Sequence, residues 1–249
     1  METIKSQDNK TVKNIAKLKQ KKYRDECGEY IAEGFKNVLD TCAARPDLVV
    51  CVVMSESAYR KYGERFSEHK NIVVADDVLV KLADTESSQG IICVNKKPSF
   101  ESASISDQCI FLDRVRDPGN VGTILRTAVA CGYDVVLNNC ADIYSPKVVR
   151  SAMSAVVKCK TYEHISVEEL KKLGYEIIVA DMSGESVFVS AHGTKYCVVI
   201  GNEAEGVSEE ISKQADKLLS IPQENMESLN AGVAAGVMMF ALKYATKVL

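Results

Sequence analysis

Apolar residues along this chain switch repeatedly between helical and extended spacing. Between Thr11 and about Glu26 they form a narrow stripe of Val12, Ile15, Ala16 and Leu18, which predicts a helix; Gly34 to Ala44 predicts a second. Residues 48–54 read LVVCVVM, a β-branched run next to Pro46, and predict a buried strand. A helix over 55–63, a strand over 71–75, a helix over 76–84 opened by two aspartates, and a strand over 90–94 follow. Residues 95–107 lose periodicity, carry a Pro and several Ser, and read as a linker. Beyond it, strands over 109–115, 133–138, 175–180, 195–201 and 217–222 alternate with helices over about 119–131, 145–152, 167–173, 208–215 and 228–247. Such alternation predicts α/β architecture. The expected division is a domain over 1–97, a linker over 98–106 and a second domain over 107–249.

Composition changes this picture little. The chain has 249 residues, 46% hydrophobic and 26% charged, enough to bury a core in each domain. No apolar run reaches bilayer length and the first ten residues are polar, so a soluble cytoplasmic protein is expected. Nine cysteines occur without a single CxxC pair, which argues against a disulfide framework, and the three histidines lack metal-ligand spacing, so no metal is expected. Charge adds more. Residues 1–24 hold eight Lys/Arg against two acids, net +6, while the whole chain is −3 and the remainder therefore −9. A basic segment on an acidic body fits either a solvated helix face or a polyanion contact.

Candidate chemistry lies in three stretches, each just after an expected strand, where α/β sheets bind ligands. In the first, FLDRVRDPGNVGTILRTAVACG (111–132), a turn at Asp117-Pro118-Gly119-Asn120 opens a helix that carries Gly122 and, one turn on, Arg126. A helix N-terminus with glycines invites an anion, but a capped helix with an exposed arginine reads equally well. Neither a GxGxxG fingerprint nor a Walker loop is present, which argues against a dehydrogenase or nucleotide hydrolase. In the second, VVIGNEAEGVSEEI (198–211), a strand runs into Gly201-Asn202-Glu203 and then Gly206, a tight loop with Glu203 at its tip. In the third, LSIPQENMESLNAGVAAGVMMFALKYA (219–245), a strand ends at Pro222 and Ser228-Leu229-Asn230 opens a helix rich in Ala and Gly. Ser228 fits a simple N-cap, and the small residues fit close helix packing or a subunit interface.

Each stretch is ambiguous alone. In order, NxGxxxR, GNExxG and IPxxxxxSLN resemble the three signature motifs of the SpoU/TrmH family of RNA 2′-O-ribose methyltransferases. YIAEGFKNVLD (30–40) and SSQGIICV (87–94) resemble more weakly that family's N-terminal substrate-binding domain, which has a ribosomal-protein-like α/β fold. The resemblance implies a parallel-sheet catalytic domain with a C-terminal trefoil knot, S-adenosylmethionine as cofactor and a homodimer. It assigns Asn120, Arg126, Glu203, Ser228 and Asn230 to the polar active site. It assigns Gly201, Asn202, Gly206, Ile221, Pro222, Leu229 and Asn230 to the cofactor loops. The RNA partner, ribosomal RNA with transfer RNA as the alternative, would meet Arg126 and the basic residues Lys13, Lys17, Lys21 and Arg24. Arg126 is expected to clamp a phosphate and lower the hydroxyl pKa, because an arginine stays charged and makes a poor base. Two positions depart from the pattern: Gly232 stands where the family often has Ser, and Ser154 where it usually has Gly.

Overall fold

The computed structural model describes residues 3–100, 105–226 and 228–244. Part of the expected linker, 101–104, and the expected end of the last helix, 245–247, lie outside the described residues. Contacts gather the chain into two compact units, Met1–Ser99 with Asp142–Lys158, and Phe100–Ala141 with Cys159–Leu249.

The first unit contains α1 (Lys10–Lys17), α2 (Lys21–Cys27), β1 (Glu29–Glu33), α3 (Phe35–Ala44), β2 (Val49–Ser55), α4 (Glu56–Tyr62), β3 (Asn71–Val74), α5 (Asp76–Leu82) and β4 (Ile91–Lys96). Its sheet has the order β1-β4-β2-β3; only the β2–β3 pair is parallel. Three features depart from the expectations. The basic helix is two helices, broken around Gln20, whose backbone is extended. The cause is Arg24, which is turned inward at 3% exposure and donates to the carbonyls of Leu18 (2.9 Å) and Lys19 (2.8 Å). Its third contact is a 2.5 Å ion pair with Asp142. An arginine so engaged is a structural pin, so Arg24 does not offer the free cation that RNA contact would need. Second, β1 was not expected, because alternation in EYIAE buries only Tyr30 and Ala32. Third, residues 142–158, within the expected 107–249 domain, make their contacts in this unit. Besides Asp142, Tyr144 packs on Tyr30 at 5.0 Å between ring centroids and Arg150 pairs with Asp84 at 2.8 Å.

In the second unit, β5 (Gln108–Asp113), α6 (Pro118–Cys131) and β6 (Asp134–Asn138) come first. After α7 (Pro146–Ala152) and α8 (Ala155–Lys158) of the first unit, the chain adds β7 (Thr161–Glu163), α9 (Val167–Lys172), β8 (Glu176–Ser186), β9 (Tyr196–Ile200), α10 (Glu209–Ser212), β10 (Lys217–Ser220) and α11 (Ala231–Tyr244). All six strands are parallel, in the order β10-β8-β9-β5-β6-β7. Their apolar runs are buried along their length, as strands in a two-sided parallel sheet must be: Cys109 to Leu112 and Tyr196 to Ile200 are at most 3% exposed. β8 continues past its apolar run through polar residues to Ser186, because β10 pairs with it across a register jump between Leu218 and Leu219.

Both departures from the family pattern have local explanations. A Cβ at Gly232 would lie 3.2 Å from Cβ and Cγ2 of Thr123, so the threonine of α6 occupies the space a serine would need. Near Ser154 the strained backbone belongs to Met153, at φ 55° and ψ −144°, and a side chain at 154 costs no backbone strain.

Candidate active site

From β5 the sheet grows outward through β6 and β7 on one flank and through β9, β8 and β10 on the other. The β5–β9 boundary is thus a topological switch point, where loops leave in opposite directions and a crevice opens at the carboxyl ends. Two loops meet there: the turn into α6 and residues 201–208. The second loop is built from its own backbone. N–H of Asn202 donates to the carbonyl of Gly206 (3.0 Å) and N–H of Gly206 returns the bond (2.9 Å), with Gly206 at φ +68°. A Cβ at Gly201 would lie 2.1 Å from the carbonyl carbon of Gly206, so only glycine fits. The Asn202 side chain is engaged in the loop itself: Oδ1 accepts from N–H of Ala204 (2.9 Å) and Glu205 (3.2 Å), and Nδ2 donates to the Arg114 carbonyl (2.9 Å).

Sequence reasoning missed the residues that hold this loop. Asp113, 1% exposed, accepts from N–H of Ser208 (2.8 Å) and from Asn138 Nδ2 (2.9 Å). Arg114 takes φ +60°, rare for a residue with a side chain, and aims its guanidinium at the Glu205 carboxylate and the Gly206 carbonyl. The buried Asp113 carboxylate holds the Arg114 guanidinium above its ordinary range. The only signal in the sequence was position, at the end of a strand. Cys140, just past β6, is pushed up to about 11 by burial and so is a neutral thiol.

A cavity of about 410 Å³ lies at the carboxyl ends of β9 and β10 and beside the middle of β8. Its walls include Gly201, Asn202, Glu203, Gly206, Ile221, Ser228 and Leu229, with apolar surface from Ile200, Leu219 and Met238. Pro222, Asn120, Asn230 and Arg126 are not among its lining residues. Gln223, also in the wall, has a buried Oε1 with no hydrogen-bond partner among the described residues. An apolar cleft with a few placed polar groups and one orphaned acceptor is what a small polar organic ligand requires.

Beside the cavity a chain of hydrogen bonds joins the three motif stretches. Asn120 Nδ2 donates to Glu203 Oε1 (2.8 Å), and Asn230 Nδ2 donates to Asn120 Oδ1 (2.8 Å). Asn230 Oδ1 accepts from N–H of Gly232 (3.0 Å) and Val233 (3.2 Å). Asn230 is therefore the residue that caps α11, leaving Ser228 in the cavity wall. Asn120 is only 7% exposed, and its own N–H is held by Asp117 Oδ1 (2.8 Å), the N-cap of α6. Arg126 lies further along α6, exposed, with no hydrogen bond or ion pair to its guanidinium among the described residues. Of the basic N-terminal residues, Lys13 pairs with Asp8 (2.8 Å), Lys17 lies 5.4 Å from the Tyr23 ring centroid, and Lys21 is exposed.

A parallel α/β sheet with a cavity and a polar relay at its switch point is the architecture of an enzyme that binds a small organic molecule. Comparison with known proteins narrows the class. Residues 107–240 match the SpoU rRNA Methylase family, and residues 9–93 match an MRM3-like substrate binding domain. The chain belongs to the SpoU rRNA methylase family and is an RNA methyltransferase. It is 28% identical over 98% of its length to the whole of the 23S rRNA (guanosine(2553)-2′-O)-methyltransferase RlmP of Bacillus subtilis. It is 27% identical over 94% of its length to 68% of rRNA methyltransferase 3A, mitochondrial, of Danio rerio. An AdoMet-bound rRNA methyltransferase from Sinorhizobium meliloti superposes with a TM-score of 0.84 at 26% identity, covering 100% of this chain and 98% of that one. Among the described residues no helix is long and apolar enough to cross a membrane, and no three His, Cys, Asp or Glu side chains form a metal-binding group.

Proposed function

We propose that this protein transfers the methyl group of S-adenosylmethionine to a ribose 2′-hydroxyl of RNA, ribosomal rather than transfer RNA, and that it does so as a homodimer. The observation that carries this reading is the relay Glu203–Asn120–Asn230, which ties all three motif stretches together at the edge of the cavity while Arg126 stays exposed, without a partner among the described residues. The 2′-O-ribosyl acceptor and ribosomal RNA are named for RlmP, and AdoMet for the Sinorhizobium meliloti structure. Residues of this chain suit that cofactor. The backbone of the 201–206 loop, the apolar side chains of Ile221 and Leu229, and Gln223 Oε1, which has no partner among the described residues, provide an apolar wall with polar groups at fixed points. When bound, the cofactor supplies an electrophilic methyl on a sulfonium.

The chain's own residues then have to align the acceptor and hold its charge, which is where enzymes gain most, about 7–11 kcal/mol from positioning alone. Arg126 would grip the phosphate beside the target ribose and favour the ionised hydroxyl. Asn120, fixed at both ends, would keep Glu203 and the N-terminus of α11 in register. Knotted threading is supported by the path after β10: the chain leaves this edge strand, lines the cavity at Ile221 and Leu229, and ends in α11 packed on α6. A partner copy is supported by the apolar residues that α11 leaves exposed, Val233 (51%) and Phe240 (47%).

Equilibrium titration with labelled S-adenosylmethionine tests the cofactor assignment. Wild type is expected to saturate, and Gly201→Ala to bind at least about tenfold more weakly, because the added methyl displaces the 202–206 loop. Equal affinities would remove the loop from the cofactor site.

A further inference from the structure

A second cavity, of about 280 Å³, lies wholly inside the first unit, between the end of β1, the 84–89 loop and α7. Its floor is apolar, made by Ile31, Leu82, Pro146 and Val149. Its rim is polar, and an inventory of the rim shows which hydrogen-bonding capacity remains. Glu33 is taken: Oε2 accepts from N–H of Asp84 (2.7 Å) and Thr85 (3.3 Å), and Oε1 from the Thr85 hydroxyl (2.5 Å). Asp84 accepts from Arg150 Nη1 (2.8 Å). Gln89 Oε1 accepts from N–H of Phe35 (2.7 Å), at the first residue of α3 after Gly34 turns at φ +95°. Most rim acceptors are therefore engaged, with Asp84 Oδ1 and the Ser87 hydroxyl still able to accept; Lys19 Nζ is spent on the carbonyls of Lys81 and Ala83, and the remaining donors are the Gln89 amide N–H groups, the Ser87 hydroxyl and the further N–H groups of Arg150, none with another partner among the described residues.

An apolar floor under a rim whose unengaged groups are mostly donors matches a ring with carbonyl acceptors on its edge. Unpaired RNA bases are read in this way, by splaying the base out and bonding its edge. We infer that this cavity holds an unpaired keto base of the substrate RNA, uracil being the smallest that fits, and so anchors the RNA at a point separate from the methyl-transfer cavity. The inference rests on the reading of the protein as acting on RNA. Uracil and cytosine make the sharpest comparison, because uracil presents the acceptor O4 and the donor N3–H where cytosine presents a donating amino group and an accepting N3.

Binding of single-stranded oligouridine and oligocytidine to the full chain tests this, across a series of salt concentrations. Wild type is expected to prefer oligouridine by about fivefold to tenfold, the size of one net hydrogen bond, with the same salt slope for both because phosphate contacts are shared. Gln89→Glu keeps the acceptor for Phe35 N–H but replaces the rim donor by an acceptor, and is expected to abolish or reverse the preference. Val149→Phe, which fills the floor, should remove it as well, with melting curves confirming that the variant folds. Equal binding of the two oligomers by wild type, or a preference that Gln89→Glu leaves unchanged, overturns the inference while leaving the RNA reading in place. Inorganic phosphate that erases the preference would show a simple anion site and overturn it too. Failure to bind either oligomer would overturn the RNA reading and this inference together.

Discussion

Replacing Arg126 by alanine is expected to lower methyl transfer by about 10²–10³-fold, the usual effect of removing one group that stabilises developing charge. Affinity for S-adenosylmethionine should stay within about twofold. The reason is geometric. Arg126 is exposed, does not line the cofactor cavity and has no internal partner among the described residues, so its loss leaves no orphaned group and no change in the cavity wall. On the proposed reading its contribution lies with the acceptor. Arg126→Lys should recover little, because an ammonium cannot grip a phosphate with two parallel bonds. Single-turnover transfer rates and a cofactor titration on the same preparations separate the two effects. A variant that lost cofactor binding along with activity would place Arg126 in the wrong half of the site.

The second large effect is expected at Asn230, where stability and catalysis can be pulled apart. Asn230→Ala removes the cap of α11, worth about 1 kcal/mol, and leaves the buried Asn120 Oδ1 unpaired, at about 1–3 kcal/mol. The sum is a loss of about 2–4 kcal/mol, read as a fall in melting temperature of roughly 5–15 °C for a chain of this size. Asn230→Asp behaves differently. Its carboxylate still accepts from the Gly232 and Val233 N–H groups, where negative charge suits a helix N-terminus. It has no donor for Asn120 Oδ1, and Asn120 cannot turn its amide over without pointing that oxygen at the Glu203 carboxylate. Melting should therefore recover only by the share of the cap, about 1 kcal/mol or roughly 2–4 °C, while transfer stays low. If Asp restored both, the relay would be a helix cap and nothing more.

How far the residues themselves announced this arrangement depends on the kind of force involved. Strands such as Cys109–Leu112 and Tyr196–Ile200 were legible because burial on both faces demands continuous apolar runs. Gly201 and Gly206 were legible as glycines of a tight loop, and the structure adds the reason at Gly201, an approach to the loop's own backbone too close for any Cβ. The relay residues Asn120, Glu203 and Asn230 came from motif spacing; their hydrogen bonds span 83 and 110 residues and no local pattern encodes them. What stayed hidden was tertiary. Lysine and arginine look alike in a basic stretch, yet Arg24 points inward because Asp142, far along the chain, awaits it. β1 hides in EYIAE because an edge strand with two buried side chains carries little periodic signal. Arg114 gave no warning because a positive φ in a non-glycine residue is imposed by its surroundings, here the 202–206 loop that it holds.

The most direct test of the whole account is transfer of labelled methyl from S-adenosylmethionine to RNA lacking the modification, followed by separation of ribosomal from transfer RNA and alkaline hydrolysis. A 2′-O-methyl group blocks cleavage at the bond next to it. The account predicts label in the ribosomal fraction, recovered in an alkali-resistant dinucleotide. Label recovered in mononucleotides would contradict it, because the methyl would then sit on a base.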